Sequence, residues 1–536
     1  MSTILYRNGS IYSQADPFAT AMVVDGATIA WLGSEEAADA QAERVSEVID
    51  LAGALITPAF VDSHTHLAGL GRQLEGGSLE SVRNAEELLQ RVAELTAGAT
   101  GPVMAHGWDD TLWSVGELPT PAQLSVAAAG RGCYLLRRDV HSALVDTDLL
   151  EQLGLNDVSP GLVQGATHDR VRAAVLAAHP VADSAAHTAL KHYAAKGYAA
   201  VVEMAAPHIE GAEQLKELLR ATDPQLPAVY AYWGQAVSSA AEAESVLAQF
   251  DSPRVLGLGG DLRVDGSLGS RTAYLRADYA DAAGQRGELM LTSAQIADHV
   301  AACAEAGIRT GFHVIGDAAM DELLEGFELA AQRIGLGRVQ AGRHVVEHAE
   351  MLDAAQRQRM LALGLTVSAQ PLFDAYWGQP EGMYATRLGD RAESMNNLAA
   401  LLSDGIPLVI GSDAPVCEVD GWKNVRAAMQ LNNAAGRISA RAAFIAQTRS
   451  AYRALGEMNP MAGQLLIGAP ATFAIWAASE LAVQTPDTRI SSWSTDARAG
   501  TPMLPVLDEE IPRCLRTVRE GVTLYDQLPA AAKPIV

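Results

Sequence analysis

Five short pieces of this chain place a histidine or an acid at the end of a strand-like run. They are Val61-Asp62-Ser63-His64-Thr65-His66, Glu203, His313-Val314-Ile315-Gly316-Asp317, Glu347-His348 and Gly411-Ser412-Asp413-Ala414-Pro415. His64 and His66 stand at i and i+2, which on a strand point to the same face, so one ion can take both. Neutral imidazoles and carboxylates hold a divalent ion, and such an ion lowers the pKa of a bound water. The pattern predicts a hydrolytic metal centre with His64, His66, His313 and His348 as ligands and Glu203 as a further candidate. His344, four residues before His348, would sit deeper on the same strand and pack rather than ligate.

Such residues need a scaffold that gathers strand ends. Eight apolar runs fit one series: Thr57–His64, Ala199–Met204, Ala228–Trp233, Val255–Arg263, Arg309–His313, His344–His348, Leu365–Gln370 and Pro407–Asp413. Amphipathic stretches such as Ser293–Ala306, Ala319–Arg333 and Asp353–Leu363 lie between several of them. Strand, helix, strand at this spacing means parallel strands with right-handed crossovers, and eight such units close into a barrel whose active site lies at the strand C-terminal ends. The expected fold is therefore α/β, a (β/α)8 TIM-type barrel over residues 58–460. Residues 67–198 read as an insertion capping the mouth, with strands near Val103–His106 and Tyr134–Arg137 and helices near Val171–Ala177 and Ser184–Ala195. Residues 1–57 carry short runs punctuated by Asn8-Gly9 and Asp25-Gly26, which are hairpin signals. Residues 461–536 return to strands after a helix at Ala440–Leu455, so both chain ends are expected to build one small β-sandwich domain.

The 536 residues are 49% hydrophobic and 19% charged, the balance of an ordinary globular chain. A formal net charge of -25 argues against a nucleic-acid-binding face. Cys133, Cys303, Cys417 and Cys514 form no C-x-x-C pair, and no apolar run is long enough for a membrane span. A cytoplasmic enzyme with reduced thiols, binding neither membrane nor nucleic acid, is expected. The Gly266-Ser267-Leu268-Gly269-Ser270 run lacks the Gly-Lys-Ser/Thr ending of a phosphate loop.

The ordered motifs resemble the amidohydrolase superfamily, specifically the YtcJ-like branch of its family 3, which includes N-substituted formamide deformylases. The markers are Pro58-Ala59-Phe60-Val61-Asp62-Ser63-His64-Thr65-His66, Gly107-Trp108-Asp109, Leu118-Pro119-Thr120, Arg138-Asp139-Val140-His141, the run from Asp265 to Ala273, His313-Val314-Ile315-Gly316-Asp317, Glu347-His348, Gln370-Pro371 and Gly411-Ser412-Asp413-Ala414-Pro415. Where many relatives carry a metal-bridging carboxylated Lys, this chain has Asp261, and its five Lys (191, 196, 216, 423 and 533) all lie elsewhere. Two arrangements stay open: a pair of ions bridged through Glu203, or a single ion, with Asp261 behind the ligands or among them.

The resemblance implies a metal-dependent hydrolase of a non-peptide C–N bond, most simply a linear N-formyl or N-acyl amine, using metal-activated water. A deaminase or cyclic-amide hydrolase on the same fold is the alternative, and a catalytically inactive binding protein the alternative of another class. Asp413 is the expected catalytic acid/base. Trp108, Asp109, Arg138 and His141 are expected to face the substrate, with Arg271 and Gln370 as further pocket residues and Asp317 as a helix cap. The cofactor is a divalent metal, zinc foremost, at one or two ions per chain, and a homodimer is a family-level expectation.

Overall fold

A computed structural model describes residues 3–98, 100–113, 117–179, 183–209, 211–220, 223–484, 493–494, 502–508 and 510–529. Eight short apolar runs form the barrel strands: β1 (Phe60–Thr65), β2 (Tyr198–Ala205), β3 (Ala228–Trp233), β4 (Val255–Leu258), β5 (Arg309–Val314), β6 (Val345–His348), β7 (Thr366–Ala369) and β8 (Leu408–Ile410). Each pairs in parallel with the next. The ring closes where the Asp413 N–H donates to the His64 carbonyl and the His66 N–H to the Ala414 carbonyl, both at 2.8 Å. β1 and β2 are buried at every position, as parallel strands covered on both faces must be.

The helices that matter for the site are α1 (Leu67–Leu74), α2 (Gly165–Ala178), α3 (Ser293–Glu305), α4 (Asp317–Ile334) and α5 (Pro371–Trp377). α3 starts at a Thr292/Gln295 capping box. α4 buries Met320, Leu323, Leu324, Phe327 and Ala330, the i, i+3, i+4, i+7 stripe of a helix packed on a sheet.

Both chain ends meet in a small β-domain. One sheet orders Thr28–Gly33, Ala21–Asp25, Thr3–Arg7 and Glu47–Asp50; the other orders Ser10–Ile11, Leu55–Pro58, Phe473–Ala477, Arg513–Arg519 and Val522–Asp526. Tyr6, Met22, Ile29, Ile56, Phe473, Ile475 and Leu515 fill its core. An aromatic cluster joins it to the barrel: Phe60 lies 5.2 Å from Trp422 and 5.6 Å from Trp476 between ring centroids. The insertion carries its own sheet of Val103–Trp108, Cys133–Arg137, Ser142–Val145 and Gly161–Gln164. Among the described residues no helix is long and apolar enough to cross a membrane.

Four local expectations are corrected. The run Thr57–His64 divides after Pro58: Leu55–Pro58 pairs with Phe473–Ala477, and β1 begins at Phe60. Proline has no N–H for a central ladder, which suits the point where the chain changes sheet. Asn8-Gly9 does not turn a hairpin but passes the chain from one β-domain sheet to the other, whereas Asp25-Gly26 does join a hairpin. The helix expected at Ala440–Leu455 is two, Ala440–Ala446 and Arg449–Ala454, because the Gln447 carbonyl is taken by the Val61 N–H at 2.8 Å.

The fourth correction is that β4 stops at Leu258 rather than Arg263. Gly259 and Gly260 have φ of 140° and 74°, and a Cβ on Gly259 would stand 2.1 Å from the Gly311 carbonyl oxygen. Only glycine fits this turn, which swings Asp261 into the barrel mouth. Gly259→Ala should therefore cost about 3 kcal/mol or more in urea unfolding, left-handed strain plus a backbone clash. Gly53→Ala, at φ 85° with nothing within 4 Å, should cost only about 1–2 kcal/mol. Equal costs would show that the clash is relieved by movement.

Candidate metal centre

The site is built first by register. β1 delivers His64 and His66 to the mouth, and β8 delivers Asp413 beside them. Asp62, fully buried, ties the two strands: Oδ1 accepts the Ser412 N–H at 2.9 Å and the His64 N–H at 3.1 Å, and Oδ2 accepts the hydroxyls of Ser412 at 2.5 Å and Tyr193 at 2.9 Å. β5 and β6 bring His313 and His348. His348 and Asp413 have φ of 69° and 53°, a left-handed conformation costing such residues about 1–3 kcal/mol each. The strain falls on two residues of the cluster itself.

Asp413 Oδ1 lies 3.3 Å from Nε2 of both His64 and His66. Asp261 Oδ2 lies 3.4 Å from His66 Nε2, while its Oδ1 lies 3.4 Å from His313 Nδ1 and 3.9 Å from His64 Nε2. Two donor triplets result, His64/His66/Asp413 and His64/Asp261/His348, each with its ligand atoms within 4.8 Å of one another. Three of the imidazoles are anchored from behind. His64 Nδ1 contacts Glu347 Oε2 at 2.8 Å, His348 Nδ1 contacts Gln370 Oε1 at 2.8 Å, and His313 Nε2 contacts the Gly266 carbonyl at 3.1 Å. These acceptors assign the outer nitrogen as N–H and leave the inner lone pair free, the arrangement that metal-binding histidines use.

His64 Nε2, Asp261 Oδ1 and Asp413 Oδ1 are buried without hydrogen-bond partners. Orphaned buried donors and carboxylates converging on one point are costly unless a cation satisfies them, so the residues present fit a divalent ion. The electrostatics agree. Burial opposes charge on His64, yet Asp413 and Glu347 hold its imidazole well above the ordinary range. Burial likewise opposes ionisation of Asp413 and Asp261, and neighbouring imidazoles hold both carboxyls well below the ordinary range. Burial pushes His348 down to about 3, so it is a neutral ligand.

The other expected residues separate. Glu203 is buried, but its Oε2 accepts the Leu67 N–H at 2.7 Å at the start of α1, and it belongs to neither triplet. Asp261, left open as standing behind the ligands or among them, is carried in beside the imidazoles by the glycine turn. His141 does line the pocket, its ring 5.0 Å from that of His313. Gln370 orients His348 instead of facing a ligand. Trp108 is an insertion core residue, its Nε1 donating to the Leu135 carbonyl at 2.8 Å. Asp109 binds Arg137 at 2.6 Å and Trp377 Nε1 at 2.9 Å, pinning the insertion to α5. The Arg138 guanidinium stacks 4.2 Å over Tyr376, and Arg271 pairs with Asp281 at 2.7 Å. His344 lies deeper and contacts the Thr310 hydroxyl at 2.8 Å. Asp317 is the first residue of α4 and accepts the Arg276 N–H at 2.9 Å. The Gly266–Ser270 run is structural, with Ser267 and Ser270 hydroxyls donating to Asp139 at 2.6 and 2.7 Å.

A small cavity abuts the donors through His313, His348 and Asp413, with Leu268, Phe373, Trp377 and Met383 in its wall. Sequence reasoning missed these walls, although the aromatic run just after Gln370-Pro371 is a usable signal. It also missed the anchoring roles of Asp62 and Glu347, and Asp265, whose carboxylate accepts the N–H groups of Ile315 at 3.0 Å and Gly316 at 2.8 Å behind His313. Burial raises the pKa of Asp265 to about 6 and that of Glu350, which the Tyr384 hydroxyl bonds, to about 7.

A model of the amidohydrolase family matches residues 47–525. The chain is 24% identical over 465 residues to the putative amidohydrolase YtcJ of Bacillus subtilis, covering 79% of this chain and 83% of that one. It is 20% identical over 427 residues to the N-substituted formamide deformylase of Arthrobacter pascens, covering 74% and 77%. The crystal structure of an uncharacterized metal-dependent hydrolase from Pyrococcus furiosus matches with a TM-score of 0.68 at 26% identity, over 88% of this chain and 98% of that one. With the family match running through the barrel, the insertion and the C-terminal strands of the β-domain, the chain belongs to the amidohydrolase family, in the YtcJ-like branch of its family 3.

Proposed function

We propose that the protein is a metal-dependent hydrolase of a C–N bond outside peptides, acting on a linear amide such as an N-formyl or N-acyl amine. The observation that carries this reading is the convergence of the orphaned His64 Nε2, Asp261 Oδ1 and Asp413 Oδ1 beside a cavity with an apolar wall of Leu268, Phe373, Trp377 and Met383. Kinship to a formamide deformylase supports the choice of a linear amide.

His64, His66, Asp261, His313, His348 and Asp413 are the residues that would hold the cation, a nitrogen and oxygen set that suits zinc. Both donor triplets use His64, whose Nδ1 is committed to Glu347. Its remaining nitrogen has one lone pair, so the two triplets describe a single ion. A bound divalent cation supplies the charge that polarises a carbonyl and acidifies water.

The chain's own groups do the rest. The Asp413 carboxylate accepts the proton of the attacking water and returns it to the departing amine nitrogen, as general base and then general acid. His141 is kept neutral by burial, with His313 adding to the effect. A neutral imidazole N–H at the cavity wall can donate to the carbonyl oxygen as it gains negative charge. Phe373, Trp377, Leu268 and Met383 exclude water and receive an apolar substituent.

Protein purified without chelator should carry one equivalent of divalent metal per chain by elemental mass spectrometry, and chelation should abolish amide hydrolysis until zinc is restored; two equivalents would overturn the single-ion reading. Asp413→Asn, assayed at saturating zinc because the amide is a weaker donor, should lose about 10²–10⁴-fold in kcat. Turnover near wild type would remove Asp413 from the proton path. Glu347→Gln should weaken zinc affinity by about 10–100-fold through His64, measured by competition with a chromogenic chelator, with activity recovering at high zinc.

A further inference from the structure

The donor cluster borders a second cavity. It touches the centre through His66, whereas the aromatic cavity touches it through His313, His348 and Asp413. Its walls include Arg72 of α1 and Arg172 of α2. Both side chains are half-buried. Among the described residues neither guanidinium makes a hydrogen bond or an ion pair with an acid. Both line the cavity together with Tyr134; Arg172 opposes the charge of Arg72, which Tyr134 and Glu75 favour. The acid in the wall, Glu203, is held by the Leu67 N–H. His66 also presents a buried Nδ1 without a partner.

Two like charges facing one half-buried cavity raise its energy, and an anion between them removes that cost. The planar guanidinium fork is matched to carboxylates. Leu136, Leu176, Met104 and Ile209 add apolar surface to the walls, beside the polar Gln73, His106 and Tyr134, and the apolar part strengthens any ion pair formed there.

We propose that this cavity is the substrate's anion subsite, with Arg72 and Arg172 binding a carboxylate carried on one side of the scissile amide. The proposal rests on the linear-amide reading above and narrows it. The apolar substituent enters the Phe373/Trp377 cavity, the amide lies at the donor cluster, and the carboxylate reaches the arginines. The substrate class is then an anionic linear amide, such as an N-formyl or N-acyl amino acid with an aromatic or aliphatic side chain.

The test is titration calorimetry of the zinc-loaded protein with two sulfonamides that resist hydrolysis: N-methanesulfonyl-phenylalanine and N-methanesulfonyl-2-phenylethylamine, which differ only by the carboxylate. The acid should bind about 10–100-fold more tightly, the range of one or two charged hydrogen bonds. That advantage should collapse in Arg72→Met/Arg172→Met and partly survive in Arg172→Lys, with circular dichroism showing that the variants fold. Equal affinity for the two probes, or an acid preference indifferent to the arginine changes, would overturn the subsite. Parallel assays of N-formyl-phenylalanine and N-formyl-2-phenylethylamine separate the two ideas. Hydrolysis without an acid preference in binding would leave the amide reading standing and sink the subsite. Arginine-dependent acid preference without hydrolysis of either amide would do the reverse.

Discussion

The Asp62 carboxylate sets the register on which the site depends. It lies under the mouth with no exposed surface and accepts hydrogen bonds from two backbone and two side-chain donors on β1, β8 and the helix bearing Tyr193. β1 and β8 are the first and last strands, about 350 residues apart in sequence, and their pairing is short. A single-residue slip would turn His64 and His66 away from Asp413. The carboxylate makes that slip expensive, because each lost bond strands a buried polar group. Burial alone would disfavour its charge and raises its pKa, and the four donors oppose this.

The same logic repeats one layer up. A histidine that is to present a lone pair inward needs something to hold its other nitrogen, and Glu347, Gln370 and the Gly266 carbonyl provide this for His64, His348 and His313. Each of these partners comes from another strand or a strand-end loop, so the barrel's closure orients the rings as well as gathering them. The Gly259-Gly260 turn completes the set by ending β4 early and bringing in Asp261. In this chain a short acid on a tight turn joins the imidazoles, and the donors crowd around a single point.

The insertion ties into the mouth through buried charge. Arg137 sits between Asp109 and Asp139 at 2.6 and 2.9 Å, while Asp139 receives the Ser267 and Ser270 hydroxyls and Asp109 receives Trp377. A buried ion pair stabilises little by itself but is costly to break, so it specifies one docking geometry. That geometry closes the aromatic cavity on one flank of the centre and brings Arg172 to the cavity on the other.

Local chemistry made much of this legible in the sequence. The i, i+2 spacing of His64 and His66, the eight apolar runs and the placement of His313, His348 and Asp413 at their ends follow from strand periodicity, which is a property of neighbouring residues. The barrel and the two-ended β-domain follow from the order of those runs. Tertiary structure decided what depends on distance across the fold. From sequence, Glu203 and Asp261 are both acids past strand ends; only the left-handed glycine turn and the capping of α1 by Glu203 place one inside the cluster and the other beside it. Trp108, Asp109 and Arg138 read as substrate contacts through the family resemblance, yet their partners, Leu135, Arg137 and Tyr376, use them to hold the insertion in place. The pairing of Arg72 with Arg172 has no sequence signature, since the two lie on separate helices and meet only when the insertion folds over the mouth.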